Sequence, residues 1–221
     1  MPASAKANRS SAVNALKRQL IRDAAKRVFV SRGLSAASAR EIAQQAGYTT
    51  GAIYFHYASK EEIYADVLRE SLAALQEAVS SAAAAQKKPA EALVAAYRAF
   101  IAFYRAQPQD LSLGLYLFEG AGPRGLSPAL NRDLNARFLG VMQLFEAALA
   151  SVGVQPRERR AEAVAIFDEM IGLLIAANTG RFAVFGVDVG KMTDRHLAWL
   201  RRRVEILVTR PTPLRSRKPR P

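Results

Sequence analysis

Two short helical segments joined by a turn containing Gly47 constrain the fold of this chain more than any other feature. Ser38 stands three residues before Glu41, a capping-box pattern that starts a helix, and Gly47 is placed to end that helix barely two turns later. The next segment, TTGAIYFHY, opens with two hydroxyl residues and ends before Ser59, which forms a second S-x-x-E box with Glu62. Such a pair, placed after a longer helix, predicts a three-helix module that contains a helix-turn-helix.

The longer helix is predicted over about residues 15–32, because apolar residues recur there at helical spacing and Gly33 supplies a stop. The second helix of the pair begins at about Thr50. The major groove of DNA is about 12 Å wide and accepts such a helix, while the preceding helix lies across the DNA backbone. Gly51 has no side chain, so the start of the second helix stays narrow. Residues 15–60 are therefore predicted to form a DNA-binding domain.

Basic residues are concentrated at the two ends of this 221-residue chain, whose net charge is +13. Residues 1–60 hold ten basic and two acidic side chains, residues 61–200 fourteen and sixteen, and residues 201–221 eight and one. This asymmetry is expected when a terminal module binds phosphates and the centre has another task. Residues 1–14 are predicted to form a flexible basic arm and residues 211–221 a disordered basic tail; for both, phosphate contact and simple solvation stay open.

Composition excludes several classes of protein. Half of the residues are apolar and 23% are charged, which are globular proportions. The absence of cysteine excludes disulfides and thiolate sites, and the two histidines, His56 and His196, lie far apart. No nucleophile elbow, phosphate loop or zinc motif occurs, so no catalytic residue, metal or cofactor is expected. No apolar stretch approaches the roughly 20 residues that span a bilayer, and no secretory signal is evident, so we expect a cytoplasmic protein that meets the nucleoid when bound to DNA.

The rest of the chain shows helical periodicity only, which predicts an all-α fold of about nine helices. A fourth helix starts near Lys60 and a fifth at Pro89. A short buried helix and a mobile glycine-rich loop are expected next, followed by a long helix from Ser127 and Pro128. Two further long helices are predicted over about residues 156–185 and 193–210, so that residues 61–210 form the second domain.

The segment RGLSAASAREIAQQAGYTTGAIYFHYASKEEIYADVL, residues 32–68, resembles the DNA-binding domain of the TetR family of bacterial transcriptional repressors. The matching elements are the glycine closing the first helix, R-E-I-A, the A-G-Y turn, G-A-I-Y-F-H-Y and S-K-E-E-I. With the first helix they cover about fifty residues; the remainder matches only in helical character and length. The resemblance implies an N-terminal helix-turn-helix domain and a helical C-terminal domain for effector binding and dimerisation.

The resemblance also implies which residues contact DNA. Thr50 and Gly51 would lie nearest base edges, and Arg40 corresponds to a position that reads guanine in some members. Ala39 departs from the family, in which a hydroxyl residue is frequent there. Phe55 is expected in the core. Tyr54, His56 and Lys60 would contact backbone phosphates, with a core aromatic as the alternative for Tyr54. Ser38 is expected to be a helix cap first and a phosphate donor second. The implied set is Ser38, Arg40, Tyr48, Thr49, Thr50, Gly51, Tyr54, His56 and Lys60.

By the same resemblance, a small-molecule effector would lodge among the middle helices. Asn178 and Arg181 interrupt an apolar helix, so they either anchor a polar group of the ligand or contact a partner subunit. Large apolar residues at helical spacing are the other candidates, with plain core packing as the alternative for each. The candidate set is Tyr97, Phe100, Tyr104, Tyr116, Phe118, Met142, Phe145, Phe167, Met170 and Asn178.

The resulting hypothesis is a homodimeric regulator, expected to be a repressor, that binds a palindromic operator on double-stranded DNA. Its two C-terminal helices would form the dimer, whose recognition helices are spaced by one DNA turn, about 34 to 36 Å. An unidentified effector would release it from DNA, and no membrane is involved. A nonspecific architectural protein that coats nucleic acid with its basic ends is the alternative, and a small helical enzyme is a third class.

Overall fold

The computed structural model describes residues 3–116 and 125–209, with side chains described for residues 9–115 and 125–209. Within these ranges the chain forms ten α-helices and no β-strand, which confirms the all-α prediction. The helices are α1 (Ala3–Ala36), α2 (Ala39–Ala46), α3 (Thr50–His56), α4 (Lys60–Ala84), α5 (Pro89–Ala106), α6 (Pro108–Tyr116), α7 (Pro128–Ser151), α8 (Pro156–Asn178), α9 (Arg181–Val184) and α10 (Val189–Thr209). None of them is both long enough and apolar enough to cross a membrane.

Helix α1 begins earlier than the sequence predicts. It is helical from Ala3, so most of the expected arm over residues 1–14 is helix. The early turns could not be found from periodicity, because Val13 is the only large apolar residue between Ala3 and Asn14, and it is exposed. The expected stop is present, since Gly33 has a φ of 72° inside the last turns.

Local signals place α2 and α3 as predicted. The Ser38 hydroxyl accepts a hydrogen bond from the Glu41 amide at 3.2 Å, and the Glu41 carboxylate accepts one from the Ser38 amide at 3.0 Å. These two bonds complete the capping box. Gly47 ends α2 in the left-handed region with a φ of 74°, and the Thr49 hydroxyl caps α3. The turn between the two helices is therefore fixed at both ends.

The described chain divides into two compact units. The first contains residues 3–77, 103–116 and 125–141, and its apolar core is drawn from the first four helices and from Leu113 of α6 and Leu134 of α7. Because this unit extends well past residue 60, the border between a DNA-binding domain over 15–60 and a second domain over 61–210 stays a prediction. The core of the first unit also includes Ile21, Phe29, Ile42, Ile53, Ile63 and Tyr64.

The second unit contains residues 78–102 and 142–209. Arg203 of α10 is held between Glu162 and Glu169 of α8, which ties these helices together. The long helix predicted over 156–185 is wrong at its end, because the chain leaves helical geometry at Thr179 and Gly180, whose φ is 69°. The buried side chains of this unit include Tyr97, Phe100, Phe145, Leu149, Ile166, Met170, Leu174 and Leu200.

The other predicted helix starts are confirmed or differ by a few residues. Helices α4 and α5 begin at Lys60 and Pro89, and Ser127 caps α7 through its hydroxyl, which accepts from the Leu130 amide at 3.3 Å. Helix α10 begins at Val189, four residues before the predicted start. The predicted mobile loop lies largely, and the C-terminal tail wholly, outside the described residues.

Candidate nucleic-acid interface

The first turn of α3 is largely exposed and carries only small side chains. Thr49 and Gly51 are exposed and Thr50 is half-buried. The Thr49 hydroxyl accepts from the Ala52 amide at 3.2 Å, so the first turn of α3 is held in place by its own cap. A β-carbon built on Gly51 would meet only the Thr49 Oγ1, at 4.0 Å. The first turn of α3 is therefore exposed at Thr49 and Gly51.

Helix α3 buries only one side. Ile53 is fully buried and Tyr57, four residues later, is 3% exposed, so these two residues form the face that packs on the domain. Tyr54 is 55% exposed and Phe55 is 80% exposed. The expectation that Phe55 belongs to the core is wrong, because a residue two places after Ile53 lies about 200° around the helix. The spacing from Ile53 to Tyr57 was the signal that could have placed Phe55 outside.

His56 completes this exposed edge of α3. Its ring meets that of Phe55 edge-on, with centroids 5.1 Å apart. Partial burial and the positive charges of Lys17 and Arg18 on α1 lower the pKa of the His56 imidazole below its usual value. At neutral pH the imidazole is therefore uncharged in the free protein, and it can still donate one N–H to an acceptor.

Two residues implied as phosphate contacts have their hydrogen-bonding groups engaged within the protein. The Ser38 hydroxyl donates to Glu41 Oε2 at 2.9 Å, in addition to accepting at the cap. The Lys60 ammonium donates to the carbonyl oxygens of Ser35 at 3.0 Å and Ala37 at 2.9 Å. An ammonium has three N–H groups, so Lys60 keeps one for another acceptor, whereas the single hydroxyl proton of Ser38 is committed.

Many cations of α1 are neutralised locally. Arg18 lies 3.2 Å and Arg22 3.5 Å from the Asp66 carboxylate, and Lys26 pairs with Asp110. The positive charge that remains available is thus smaller than the count over residues 1–60 indicates. The cations between residues 9 and 60 that form no ion pair with any described residue are Arg9, Lys17, Arg27, Arg40 and Lys60.

The predicted DNA-contacting residues are brought together in one unit, on α2, on α3 and at the start of α4. Arg40 is exposed on the first turn of α2. Tyr48 differs from the others because it packs partly buried against the apolar core, next to the turn that sets the angle between α2 and α3. Its role as a direct contact stays a prediction.

The candidate effector residues are not brought together in one unit, unlike the predicted DNA-contacting residues. Tyr97, Phe100, Phe145 and Met170 are buried in the second unit, where the rings of Phe100 and Phe145 pack edge-on with centroids 6.2 Å apart. Asn178 is exposed at the end of α8. Of the other candidates, Met142 is buried and Phe167 half-buried in the second unit, Tyr104 is buried in the first, and the side chain of Tyr116 and all of Phe118 lie outside the described residues.

One polar contact is embedded in this apolar region. The hydroxyl of buried Tyr97 lies 3.3 Å from Nδ1 of His196 on α10. Burial raises the pKa of the Tyr97 phenol, so the hydroxyl is protonated and can donate to the imidazole. Among the described residues, no group of three or more histidine, aspartate or glutamate side chains is placed to hold a metal ion.

The helix-turn-helix segment is similar in sequence to known proteins. Residues 21–67 match the sequence model described as "Bacterial regulatory proteins, tetR family". The transcriptional regulator SrpR of Pseudomonas putida is 49% identical over 51 residues, which are 23% of this chain and 24% of SrpR. The repressor KstR2 of Mycolicibacterium smegmatis is 44% identical over 45 residues, 20% of this chain and 22% of that repressor. The aligned segments thus span under a quarter of these relatives.

Likeness over the whole chain is found at the level of fold. The transcriptional regulator FadR from Bacillus subtilis, solved in complex with stearoyl-CoA, superposes with a TM-score of 0.65 and 19% identity. The superposition covers 86% of this chain and 97% of that regulator. At this identity the likeness establishes the shared helical fold.

Proposed function

We propose that this chain, whose N-terminal helices belong to the TetR family, is a sequence-specific DNA-binding repressor that acts as a homodimer on a palindromic operator. The observation that carries the proposal is the open start of α3, which belongs to the segment that matches the family. Thr50 and Gly51 lie on its first turn, and the sides of α3 away from the core carry Tyr54 and Phe55. A helix that packs on its domain through one side and exposes the other is suited to the major groove.

Roles in binding follow from which groups remain available. Arg40 and Thr50 are the proposed readers of base edges, since a guanidinium recognises guanine through two parallel hydrogen bonds. Tyr54, His56 and the remaining N–H of Lys60 are the proposed phosphate contacts, which set register and orientation. Phe55 joins them as an apolar contact, for which a thymine methyl group is the matching partner.

Dimerisation is proposed through α8 and α10. Val164 and Ile175 of α8 are 51% and 42% exposed and lie eleven residues apart, which places them on one helix face. Trp199 and Ile206 of α10 are 47% and 48% exposed and lie seven residues apart. Two helices with such exposed apolar faces can join those of a second copy in a four-helix interface.

Release from the operator is proposed to follow binding of a small effector in the second unit. The similar fold of FadR, solved with stearoyl-CoA, supports an effector-binding role for the helices of this region. Met170 and the Phe100–Phe145 ring pair are deformable apolar packing that a hydrophobic ligand could displace. The Tyr97–His196 pair is the nearby polar anchor.

The proposal is tested by selecting bound sequences from a pool of random duplexes with the purified full-length chain. We expect enrichment of a palindrome, and steep loss of affinity for it as salt is added. Arg40→Ala should lower the ratio of operator to scrambled-duplex affinity. Lys60→Gln should instead weaken both duplexes and reduce the salt slope by about one.

Three results would contradict the proposal or its assignments. A pool that emerges without any preferred sequence would favour the architectural alternative. Equal loss on both duplexes for Arg40→Ala would remove that residue as a base reader. An unchanged salt slope for Lys60→Gln would mean that its ammonium only holds the carbonyls of Ser35 and Ala37.

A further inference from the structure

Tyr57 stands at the junction between the recognition helix and the rest of its domain. It is the C-cap residue of α3, where its extended backbone donates an N–H to the Ile53 carbonyl at 3.0 Å. Its ring is buried in the apolar core. Any group that holds the Tyr57 side chain therefore also holds the end of α3.

The Tyr57 hydroxyl donates to Oδ2 of Asp66 on α4 at 2.7 Å. The same oxygen accepts from Arg18 at 3.2 Å and lies 3.5 Å from a guanidinium nitrogen of Arg22, both on α1. The Arg18 guanidinium also lies over the Tyr57 ring, 4.6 Å from its centroid. One carboxylate oxygen thus joins α1, α4 and the end of α3.

Charge strengthens the hydrogen bonds of this junction. Burial alone would raise the pKa of the Asp66 carboxyl, but the hydrogen bonds from Tyr57 and Arg18 and the charges of both arginines lower it below its usual value. Asp66 is therefore an anion across the neutral range, and a hydrogen bond to an anion is shorter and stronger than one between neutral groups.

We propose that the hydrogen bond from Tyr57 to Asp66 is a positioning contact that fixes the angle of α3 and thereby sets discrimination between operator and other DNA. The inference rests on the proposed function. Contacts to base edges require placement within about 0.5 Å, whereas flexible side chains follow phosphates over a wider range. A loosened α3 therefore loses specific affinity while nonspecific affinity stays.

The test is Tyr57→Phe, which removes one oxygen atom and keeps the ring. Tyr64→Phe is the matched control, because Tyr64 is a buried tyrosine of the same unit whose hydroxyl donates to the Leu113 carbonyl, away from α3. Each full-length variant is titrated onto a duplex with the selected palindrome and onto a scrambled duplex, and its thermal unfolding is recorded.

We expect Tyr57→Phe to lower the ratio of operator to scrambled-duplex affinity by about tenfold, mainly through the operator. Tyr64→Phe should lower the melting temperature and leave the ratio unchanged. A ratio unchanged in both variants would overturn the inference and leave the proposed function standing. A wild-type chain without any preference between the duplexes would remove the proposed function, and this inference with it.

Asp66→Asn provides the second variant. It keeps an oxygen that can accept from Tyr57 but removes the charge that Arg18 and Arg22 neutralise. We expect a ratio between those of the wild type and Tyr57→Phe. A ratio equal to that of the wild type would show that the anion has no part in positioning α3 and would overturn that step.

Discussion

The imidazole of His56 is the residue on the candidate interface whose charge can change near neutral pH. Partial burial, together with the positive charges of Lys17 and Arg18, holds its pKa down in the free protein. A DNA phosphate at the same place would act in the opposite direction, since it stabilises the imidazolium. Binding should then be coupled to uptake of a proton.

We therefore expect operator affinity to rise by about fivefold as the pH is lowered from about 8 to about 5.5. His56→Gln should flatten this dependence, because an amide can donate to phosphate but does not titrate. His196→Gln is the control for the second of the two histidines and should retain the dependence. Filter-binding titrations across this pH range measure all three, and a slope that survives in His56→Gln would contradict the contact.

Gly51 separates the demands of folding from those of binding. Its backbone has no positive φ, and a β-carbon there meets nothing closer than 4.0 Å. Gly51→Ala should therefore fold at least as stably as the wild type, with a gain of up to about 1 kcal/mol from helix propensity. The added methyl group should nevertheless weaken operator binding by about tenfold or more, because the proposed binding mode brings base edges to this position.

Urea unfolding measures the stability of Gly51→Ala, and operator titration of the same preparation measures its affinity. A stable variant that binds the operator as tightly as the wild type would move the DNA contact away from the start of α3.

At the scale of helices, stability of the helix-turn-helix depends on its caps. The hydroxyl of Ser38 takes part in two hydrogen bonds with Glu41, one as acceptor and one as donor. We expect Ser38→Ala to lower the free energy of unfolding by about 1 kcal/mol. Ser31→Ala is the control, because that hydroxyl donates only to the Val28 carbonyl of its own helix.

Urea unfolding gives the free energies, and binding to a scrambled duplex shows whether Ser38 also contacts phosphate. A Ser38→Ala variant with unchanged stability and weakened binding to all duplexes would reverse our assignment and make the serine a phosphate donor.

Helix ends were predictable wherever the signal is local. The structure confirms the predicted starts of α2, at Ser38 and Glu41, and of α7, at Ser127 and Pro128. These starts are predictable because a helix cap needs only neighbours in sequence. Gly180 is an equally local stop signal, but apolar residues continue at helical spacing beyond it, so the sequence pattern alone favours one longer helix. The bonds from the Lys60 ammonium to the carbonyl oxygens of Ser35 and Ala37 depend instead on tertiary packing, which spacing along the sequence does not carry.

At the scale of the whole molecule, the proposed function requires two copies. A single three-helix module reads too few base pairs to select one site, whereas two linked modules multiply their affinities through effective concentration. The exposed apolar residues of α8 and α10 are where such a link is proposed. The match to the family model covers residues 21–67 and does not reach the second unit. For that unit the sequence pattern could predict helices, but not which of their faces contacts a second copy.

Ile206→Glu tests that link. Ile206 is 48% exposed on α10, and a carboxylate there would have to be desolvated in the dimer. We expect light scattering to show half of the wild-type mass, circular dichroism to stay helical, and operator affinity to fall by about a hundredfold. Leu139→Glu, at a 51% exposed position on α7, is the control and should behave as the wild type. Dimers that persist in Ile206→Glu would place the interface elsewhere.

The core that supports the helix-turn-helix also bears on how such a chain can be recombined. Leu113 of α6 and Leu134 of α7 belong to the same apolar cluster as Ile63 and Tyr64 of α4, and Leu126 and Leu130 pack against it. A graft of the first sixty residues onto a foreign regulator would leave these residues behind. Exchange of operator preference between relatives should therefore succeed when residues 103–141 are transferred together with the helix-turn-helix domain. Chimaeras that are joined at residue 60 should instead aggregate.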